Sequence, residues 1–185
     1  MHNIKQAKDT FRSKISSTKE KYSTDEFYER SLEVLSVLEI TGVFQDAKTI
    51  FIYNNLKDEV HTFDFIQKWS ETKDFYLPVV VSDEIVFRKY NPSVKLQASS
   101  FGIMEPMGEN ITDYDKIDLI IVPGVAFDRK KNRMGKGKGY YDRFLIKTKA
   151  PKVGICFDFQ LFDSIPNDQN DVKMDYIVAE NELIW

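Results

Sequence analysis

An α/β fold is what this sequence predicts: three layers, a largely parallel central sheet flanked by helices, and a single domain. Two observations lead there. Short apolar runs of the buried-strand type recur between residues 49 and 179, with helical patterns before and between them. No linker rich in proline, glycine or serine divides the 185 residues and no internal repeat is present, so one domain spanning 1–185 is expected.

The elements follow in order. Ile4, Ala7, Phe11 and Ile15 recur at helical spacing within residues 3–20. A second helix is expected from Thr24 to Glu39, with a cap at Ser23 or Thr24, early acids Asp25 and Glu26, and an apolar set of Phe27, Leu32, Leu35 and Leu38. After Gly42 the pattern turns to strands, at 49–53, 76–81, 85–90, 117–122, 152–157 and 176–179. Helices fit at 62–71 and 138–148. Residues 91–115 are polar and turn-rich and predict a loop or an added hairpin.

Composition narrows the function classes. With 42% apolar and 14% aromatic residues the chain can bury a sizeable core, which excludes overall disorder. A near balance of 29 acids and 26 bases, net charge -3, argues against a dedicated nucleic-acid or membrane-surface protein. No apolar run approaches the roughly 20 residues that span a bilayer, and the start Met1-His2-Asn3-Ile4-Lys5 lacks a secretory pattern. The lone Cys156 permits no internal disulfide and reads as an inert core residue of a strand. A cytoplasmic protein is expected.

The charge is uneven. Residues 128–149 hold nine bases and two acids, which leaves the remainder strongly acidic. A basic stretch in an acidic chain suits an anionic small molecule, although charge alone favours a solvated lysine-rich face. Within it, after the strand 117–122, runs Arg133-Met134-Gly135-Lys136-Gly137-Lys138-Gly139-Tyr140-Tyr141-Asp142-Arg143. In open α/β sheets ligands bind beyond the carboxyl ends of strands. Alternate glycines expose successive N–H groups, a helix start follows, and Lys and Arg flank them; these are the parts of a phosphate cradle. The loop matches neither G-x-x-x-x-G-K-[ST], since Tyr140 follows Gly139, nor G-x-G-x-x-G. On this ground alone a phosphate site and a plain Gly/Lys surface loop stand level.

A resemblance separates them. Pro123-Gly124-Val125-Ala126-Phe127-Asp128 followed by Asn132 to Arg143 resembles the signature of the 5-formyltetrahydrofolate cyclo-ligase family, also called methenyltetrahydrofolate synthetases. Lys8 and Arg12 reproduce the family's Lys-x-x-x-Arg, and Asp58-Glu59-Val60-His61-Thr62, Gly102-Ile103-Met104-Glu105-Pro106, Gln160, Pro166 and Asn170 to Asp175 fall in family order. The likeness covers nearly the whole chain, and the glycine loop with Tyr-Tyr-Asp is its most specific part. It implies ATP-dependent cyclisation of 5-formyltetrahydrofolate, with or without a polyglutamate tail, to 5,10-methenyltetrahydrofolate, with ADP and phosphate released. In the implied mechanism the formyl oxygen takes the γ-phosphoryl group, N10 attacks the resulting imidate phosphate, and phosphate leaves.

The resemblance also implies a site. Arg133 and Lys138 are expected to be catalytic. ATP is expected at Lys8, Arg12, Arg133, Met134, Gly135, Lys136, Gly137, Lys138, Gly139, Tyr140 and Tyr141. The folate is expected at Asn54, Glu59, Gly137, Gly139 and Tyr140, with Glu59 taking pterin N–H donors. Mg²⁺, the expected cofactor, is assigned to Asp142 and Asp171. Read without the family, Lys8 and Arg12 lie four apart on one helix face, Asp142 complements a helix start, and Asn170-Asp171 forms a turn. One of Tyr140 and Tyr141 is expected to stack on a flat ring and the other to sit in the core. Two departures stand out: His61 replaces an acid, and Met134 replaces leucine at little cost in volume.

Partners are therefore expected to be ATP and folate, for a monomer with no nucleic acid and no membrane. A nucleic-acid module would need its aromatics on one exposed platform. A third reading keeps the fold but binds folate without turnover, or uses another acid or amide.

Overall fold

The structure, a computed structural model, describes residues 2–93, 96–98 and 104–185. Helices α1 (His2–Lys19) and α2 (Thr24–Glu39) come first, then a short α3 (Gly42–Asp46). Strand β1 (Thr49–Phe51), helix α4 (Phe63–Trp69), β2 (Asp74–Val81) and β3 (Glu84–Tyr90) follow. A small antiparallel hairpin, β4 (Leu96–Ala98) and β5 (Met104–Pro106), fills part of the polar stretch. The chain continues through β6 (Leu119–Val122), β7 (Ala126–Asp128), β8 (Arg133–Met134), α5 (Tyr140–Leu145) and β9 (Lys152–Ile155). It closes with β10 (Leu161–Phe162), β11 (Tyr176–Val178) and β12 (Leu183–Ile184).

Seven strands form the main sheet in the order β12-β11-β9-β6-β1-β2-β3. The five from β11 to β2 run parallel, and β12 and β3 close the two edges antiparallel. The expected α/β architecture is present. The centre of such a sheet is buried on both faces, and β6 at its middle is apolar at every position. Ile50, Ile52, Leu119 and Ile121 face one core beneath α2, α3 and α4, whereas Phe51, Ile120 and Val122 face a second core with Phe87, Phe144 and Leu145. Alternation along the strand, with period two, splits each run between the two cores.

Helix α2 opens as its sequence predicts. The Ser23 hydroxyl accepts from the Glu26 amide at 3.2 Å, and the Glu26 carboxylate accepts from the Ser23 amide at 2.8 Å, a reciprocal capping box. Its buried face is Phe27, Ser31, Val34, Leu35 and Leu38, and the expected Leu32 lies 46% exposed. From Phe27 the buried positions advance by helical steps that include Ser31, whose hydroxyl donates to the Phe27 carbonyl at 2.5 Å; Leu32 falls one step off that stripe.

Other boundaries differ for local reasons. The helix expected at 138–148 starts only at Tyr140, because Gly139 holds a left-handed φ of +68° as its cap. The strand expected at 117–122 starts at Leu119, because the Asp118 carboxylate turns to accept from the Lys48 and Thr49 amides at 2.9 and 2.8 Å. A three-stranded sheet, β10-β7-β8, and the short α3 have no counterpart in the sequence reading. Between this small sheet and the large one, the Phe127 ring lies against two glycines. A β-carbon at Gly124 or at Gly154 would meet that ring at 2.5 or 2.4 Å, so both positions exclude any side chain.

Candidate functional site

Two cavities meet at the glycine loop between β8 and α5. The larger, about 910 Å³, is polar and lies between α1, the loop and residues 168–172. The smaller, about 270 Å³, is mostly apolar and opens beyond the carboxyl ends of β1, β2 and β6. Gly135, Lys136, Lys138, Gly139 and Asp142 line both. The loop is therefore a shared wall.

Its backbone makes that possible. Gly137 and Gly139 take φ of +99° and +68°, conformations that side-chain-bearing residues rarely adopt. Helix α1 straps the loop from outside. Arg12 Nε donates to the Gly135 carbonyl at 2.9 Å, and a β-carbon on Gly137 would sit 3.4 Å from the Arg12 guanidinium. One turn earlier, the Lys8 ammonium donates to Asp168 Oδ2 at 2.7 Å and Asp171 Oδ2 at 2.5 Å. Burial pulls the Lys8 pKa down, but the bonds to Asp168 and Asp171 outweigh it and the net shift is upward. At the far end of α1, Lys19 donates to the Asp58 carbonyl and carboxylate at 2.6 and 2.9 Å, which pins the turn that carries Glu59.

Beneath the loop lies Arg133, 3% exposed. Its Nη2 donates to both Asp142 oxygens at 3.0 and 3.1 Å, and Nη1 donates to the Pro123 carbonyl at 3.1 Å. Its Nε is buried and has no hydrogen-bond partner among the described residues. Asp142 also accepts from the Val172 amide at 3.2 Å, so one carboxylate ties the start of α5 to the 168–172 segment.

In the apolar cavity, Glu59 Oε1 pairs with Lys136 Nζ at 2.7 Å and Oε2 accepts from the Leu56 amide at 3.0 Å. Pro78, Val80, Ile85 and Pro123 supply apolar wall, and Tyr53, Tyr140 and Tyr141 supply rings. Burial raises the Tyr53 and Tyr141 pKa values, so both phenols stay protonated and can donate. Of Tyr140 and Tyr141, one expected to stack on a flat ring and the other to sit in the core, both line the cavity and both pack, partly buried, against the second core. A six-residue helix on the cavity rim places consecutive residues beside both.

The structure sorts the sequence-predicted residues between the cavities. Lys8, Arg12, Met134, Gly135, Lys136, Gly137, Lys138 and Gly139 line the polar cleft. Arg133, Tyr140 and Tyr141, expected at ATP, line the apolar cavity, and Gly137, expected at both ligands, lines the polar cleft. Asn54, Glu59, Gly139 and Tyr140 gather at the apolar cavity. Asp142 and Asp171 both reach the polar cleft. His61 is absent from both linings; its ring nitrogen lies 3.2 Å from the Lys57 carbonyl. Gly102 and Ile103 lie outside the described residues.

Three contributors were not singled out from sequence. Glu105, read only as part of a motif, lines the apolar cavity. Asp168 shares Lys8 with Asp171. Asp128, fully buried, accepts from the amides of Lys130, Asn132 and Ile165 at 2.9–3.0 Å and so sets the turn ahead of the loop. Among the described residues, four of the nine bases in the basic stretch are held in ion pairs. Arg129 pairs with Asp163 and Glu182, Arg133 with Asp142, Lys136 with Glu59 and Lys147 with Glu84. Among the described residues no cluster of three or more His, Cys, Asp or Glu side chains could hold a metal, and no helix is long and apolar enough to cross a membrane.

A charged, glycine-walled cleft opening onto an apolar cavity at the strand ends defines an α/β protein with two adjoining small-molecule cavities. Comparison with known proteins is more specific. The sequence profile of the 5-formyltetrahydrofolate cyclo-ligase family matches residues 4–180, and the chain belongs to that family. It is a ligase of folate metabolism. A probable 5-formyltetrahydrofolate cyclo-ligase from Schizosaccharomyces pombe is 34% identical over 158 residues, covering 75% of this chain and 78% of the relative. The 5,10-methenyltetrahydrofolate synthetase structure from Aquifex aeolicus is 35% identical with a TM-score of 0.85, covering 95% of this chain and 91% of that one. The Mycoplasma pneumoniae synthetase structure is 28% identical with a TM-score of 0.72, covering 92% and 97%.

Proposed function

We propose that the protein joins the formyl group of 5-formyltetrahydrofolate to N10, with ATP cleaved to ADP and phosphate and 5,10-methenyltetrahydrofolate as product. The observation that carries this reading is the shared wall: one glycine loop lines a polar cleft and an apolar cavity at once. A phosphoryl group in the first is thereby brought against a formyl oxygen in the second, and positioning of this kind is most of what phosphoryl transfer requires.

ATP occupies the polar cleft, its phosphates on the amides of Gly135 to Gly139 and on Lys8, Arg12 and Lys138. The folate occupies the apolar cavity, its pterin donors on Glu59 and its ring among Asn54, Tyr140 and Tyr141. Arg133 and Lys138 flank the transferring group from the two sides, and Arg133 Nε is a donor without a partner among the described residues. Mg²⁺ needs one or two protein carboxylates beside phosphates and water, and Asp142 and Asp171, hard oxygen donors on one cleft, fit that need. It would supply charge neutralisation on the phosphates. Lys8 then exchanges Asp171 for a phosphate oxygen. The reading extends to a monomer acting in the cytoplasm, on folate with or without a polyglutamate tail.

The test is the near-ultraviolet absorbance rise of methenyltetrahydrofolate, followed with and without Mg-ATP, beside ATP hydrolysis with and without 5-formyltetrahydrofolate. Both signals are expected to need both substrates. ATP hydrolysis indifferent to the folate would sink the proposal.

A further inference from the structure

Glu105 is the one carboxylate in the apolar cavity that the reading above leaves without a task. It sits on β5, paired across the hairpin with Gln97 of β4, and this hairpin packs on β2 and β3. That places it on the wall built by Val80 and Ile85, away from the turn that carries Glu59. The two acids are in different states. Glu59 is neutralised by Lys136 at 2.7 Å, whereas no ion pair to Glu105 is present among the described residues. The Val80 amide donates to it, and Arg88 of β3 is the charged group that acts on it from the packed elements. Arg88 is itself engaged, with Nε on Asn110 Oδ1 at 2.9 Å and Nη1 within 3.4 Å of the Pro106 carbonyl. Across the cavity stand Lys138, Tyr140 and the Arg133–Asp142 pair. Burial moves the Glu105 pKa upward from the ordinary carboxylate value, against the Val80 amide and Arg88, which pull it down.

The reaction has a proton to move. N10 attacks the formyl carbon as an N–H, and the phosphate that leaves would depart as a trianion unless it gains a proton. We propose that Glu105 is the catalytic residue that carries this proton, taking it from N10 and passing it to the departing phosphate oxygen. The N10 lone pair forms the new carbon–nitrogen bond, and the N10–H bond breaks to give its proton to the Glu105 carboxylate. The carbon–oxygen bond then breaks with its electron pair on oxygen, which takes the proton from the carboxyl group. The products are the amidinium cation of methenyltetrahydrofolate and hydrogen phosphate, and the carboxylate is returned. In its ionised form the same group faces the positive charge that the product bears, in a cavity walled mostly by apolar side chains.

This rests on the assignment of folate to the apolar cavity, so binding and turnover are measured separately. E105Q and E105D are compared with the unsubstituted protein for 5-formyltetrahydrofolate binding by calorimetry, and for kcat between pH 5 and 9 with saturating Mg-ATP. E105Q is expected to bind folate within about threefold of the unsubstituted protein while kcat falls about 100-fold. The acid limb of its kcat profile should also disappear. E105D keeps the carboxylate one methylene further away and should retain the limb and part of the rate. Full kcat in E105Q with folate bound normally overturns the proposal alone. A loss in both variants with the acid limb unchanged also overturns it, since that is what a structural acid would give. No folate binding by the unsubstituted protein overturns the cavity assignment and this proposal together.

Discussion

Lys136 belongs to the glycine loop that walls the polar cleft, yet its ammonium closes on Glu59 of the apolar cavity at 2.7 Å. Glu59 is only 11% exposed while Lys136 is half exposed, so the acid end of the pair is enclosed and the basic end faces solvent. A ligand that binds Glu59 therefore meets a side chain of the loop there.

Glu59→Gln keeps the volume of the side chain but loses its charge and turns a donor toward the pterin donors. Folate affinity is expected to fall about tenfold, as a charged acceptor is worth roughly 1.5–3 kcal/mol. ATP affinity measured without folate should stay near its original value. Calorimetric titration of each ligand checks this, and equal loss of both affinities would indicate a folding defect. His61→Asn, outside both linings, should leave both affinities unchanged.

Arg133 is buried and its partner Asp142 partly so. Arg133→Met leaves Asp142 without its guanidinium, and breaking such a pair costs about 3 kcal/mol or more. Urea unfolding should show that loss. Lys138→Ala is exposed and should leave stability alone while lowering kcat about 100-fold through lost charge stabilisation. If Lys138→Ala turns over normally, the loop does not touch the transferring group.

Asp142→Asn tests the metal assignment. The amide oxygen can still accept from Arg133 and Val172, but the charge paired with Arg133 is lost. Stability should therefore fall together with Mg²⁺ affinity, and urea unfolding is read beside the magnesium titration. Activity is expected to fall and to recover partly at high magnesium. An unchanged magnesium titration would leave Asp142 as a purely structural tie between α5 and the 168–172 segment.

Gly137→Ala places a β-carbon at φ +99° and 3.4 Å from Arg12. Strain of this kind is worth about 1–3 kcal/mol. The KM for ATP should rise several-fold, with folate binding retained because Gly137 lines only the polar cleft.

The Lys8 bridge sets a pH window. The folded pKa of Asp168 is lowered, chiefly by its bond from Lys8, so its contribution is complete above the unfolded value and fades as pH falls through the lowered one. The Lys8 pKa is raised, so its contribution is complete below the unfolded value and fades only as pH rises through the higher one. Thermal melts should show Lys8→Met less stable by a constant amount from about pH 5 to 9, with the gap closing in acid below the ordinary carboxylate range. A gap that persists unchanged at pH 3 would mean that Lys8 acts through packing and not charge.

Much of this was readable in the chain. Strands such as Leu119–Val122 announced themselves because both faces are buried, and Ser23 announced α2 through its side-chain chemistry. The glycine loop, Lys8, Arg12, Glu59 and Asp142 followed from motif order. What escaped was pairing across distance. Nothing near Arg133 in sequence says that it turns inward to Asp142, or that Lys136 crosses to Glu59, because those partners are brought close only by the tertiary fold. Glu105 escaped for a similar reason: its significance lies in Val80 and Ile85 around it, which come from other strands. The β10-β7-β8 sheet escaped because strands of two or three residues carry too few positions for a period to show.

The Phe127 ring, seated between Gly124 and Gly154, also constrains the order in which the protein can assemble. Gly124 follows β6 directly, but Gly154 belongs to β9, which arrives only after the glycine loop and α5 have been traversed. The ring cannot find its seat until β9 has joined β6, and the segment leading to the loop has no fixed height until the ring is seated. The loop should therefore acquire its final shape late in folding, together with the centre of the sheet. Amide exchange at Gly135 and Gly137 should accordingly slow only in the same step as exchange at Val153 and Ile155.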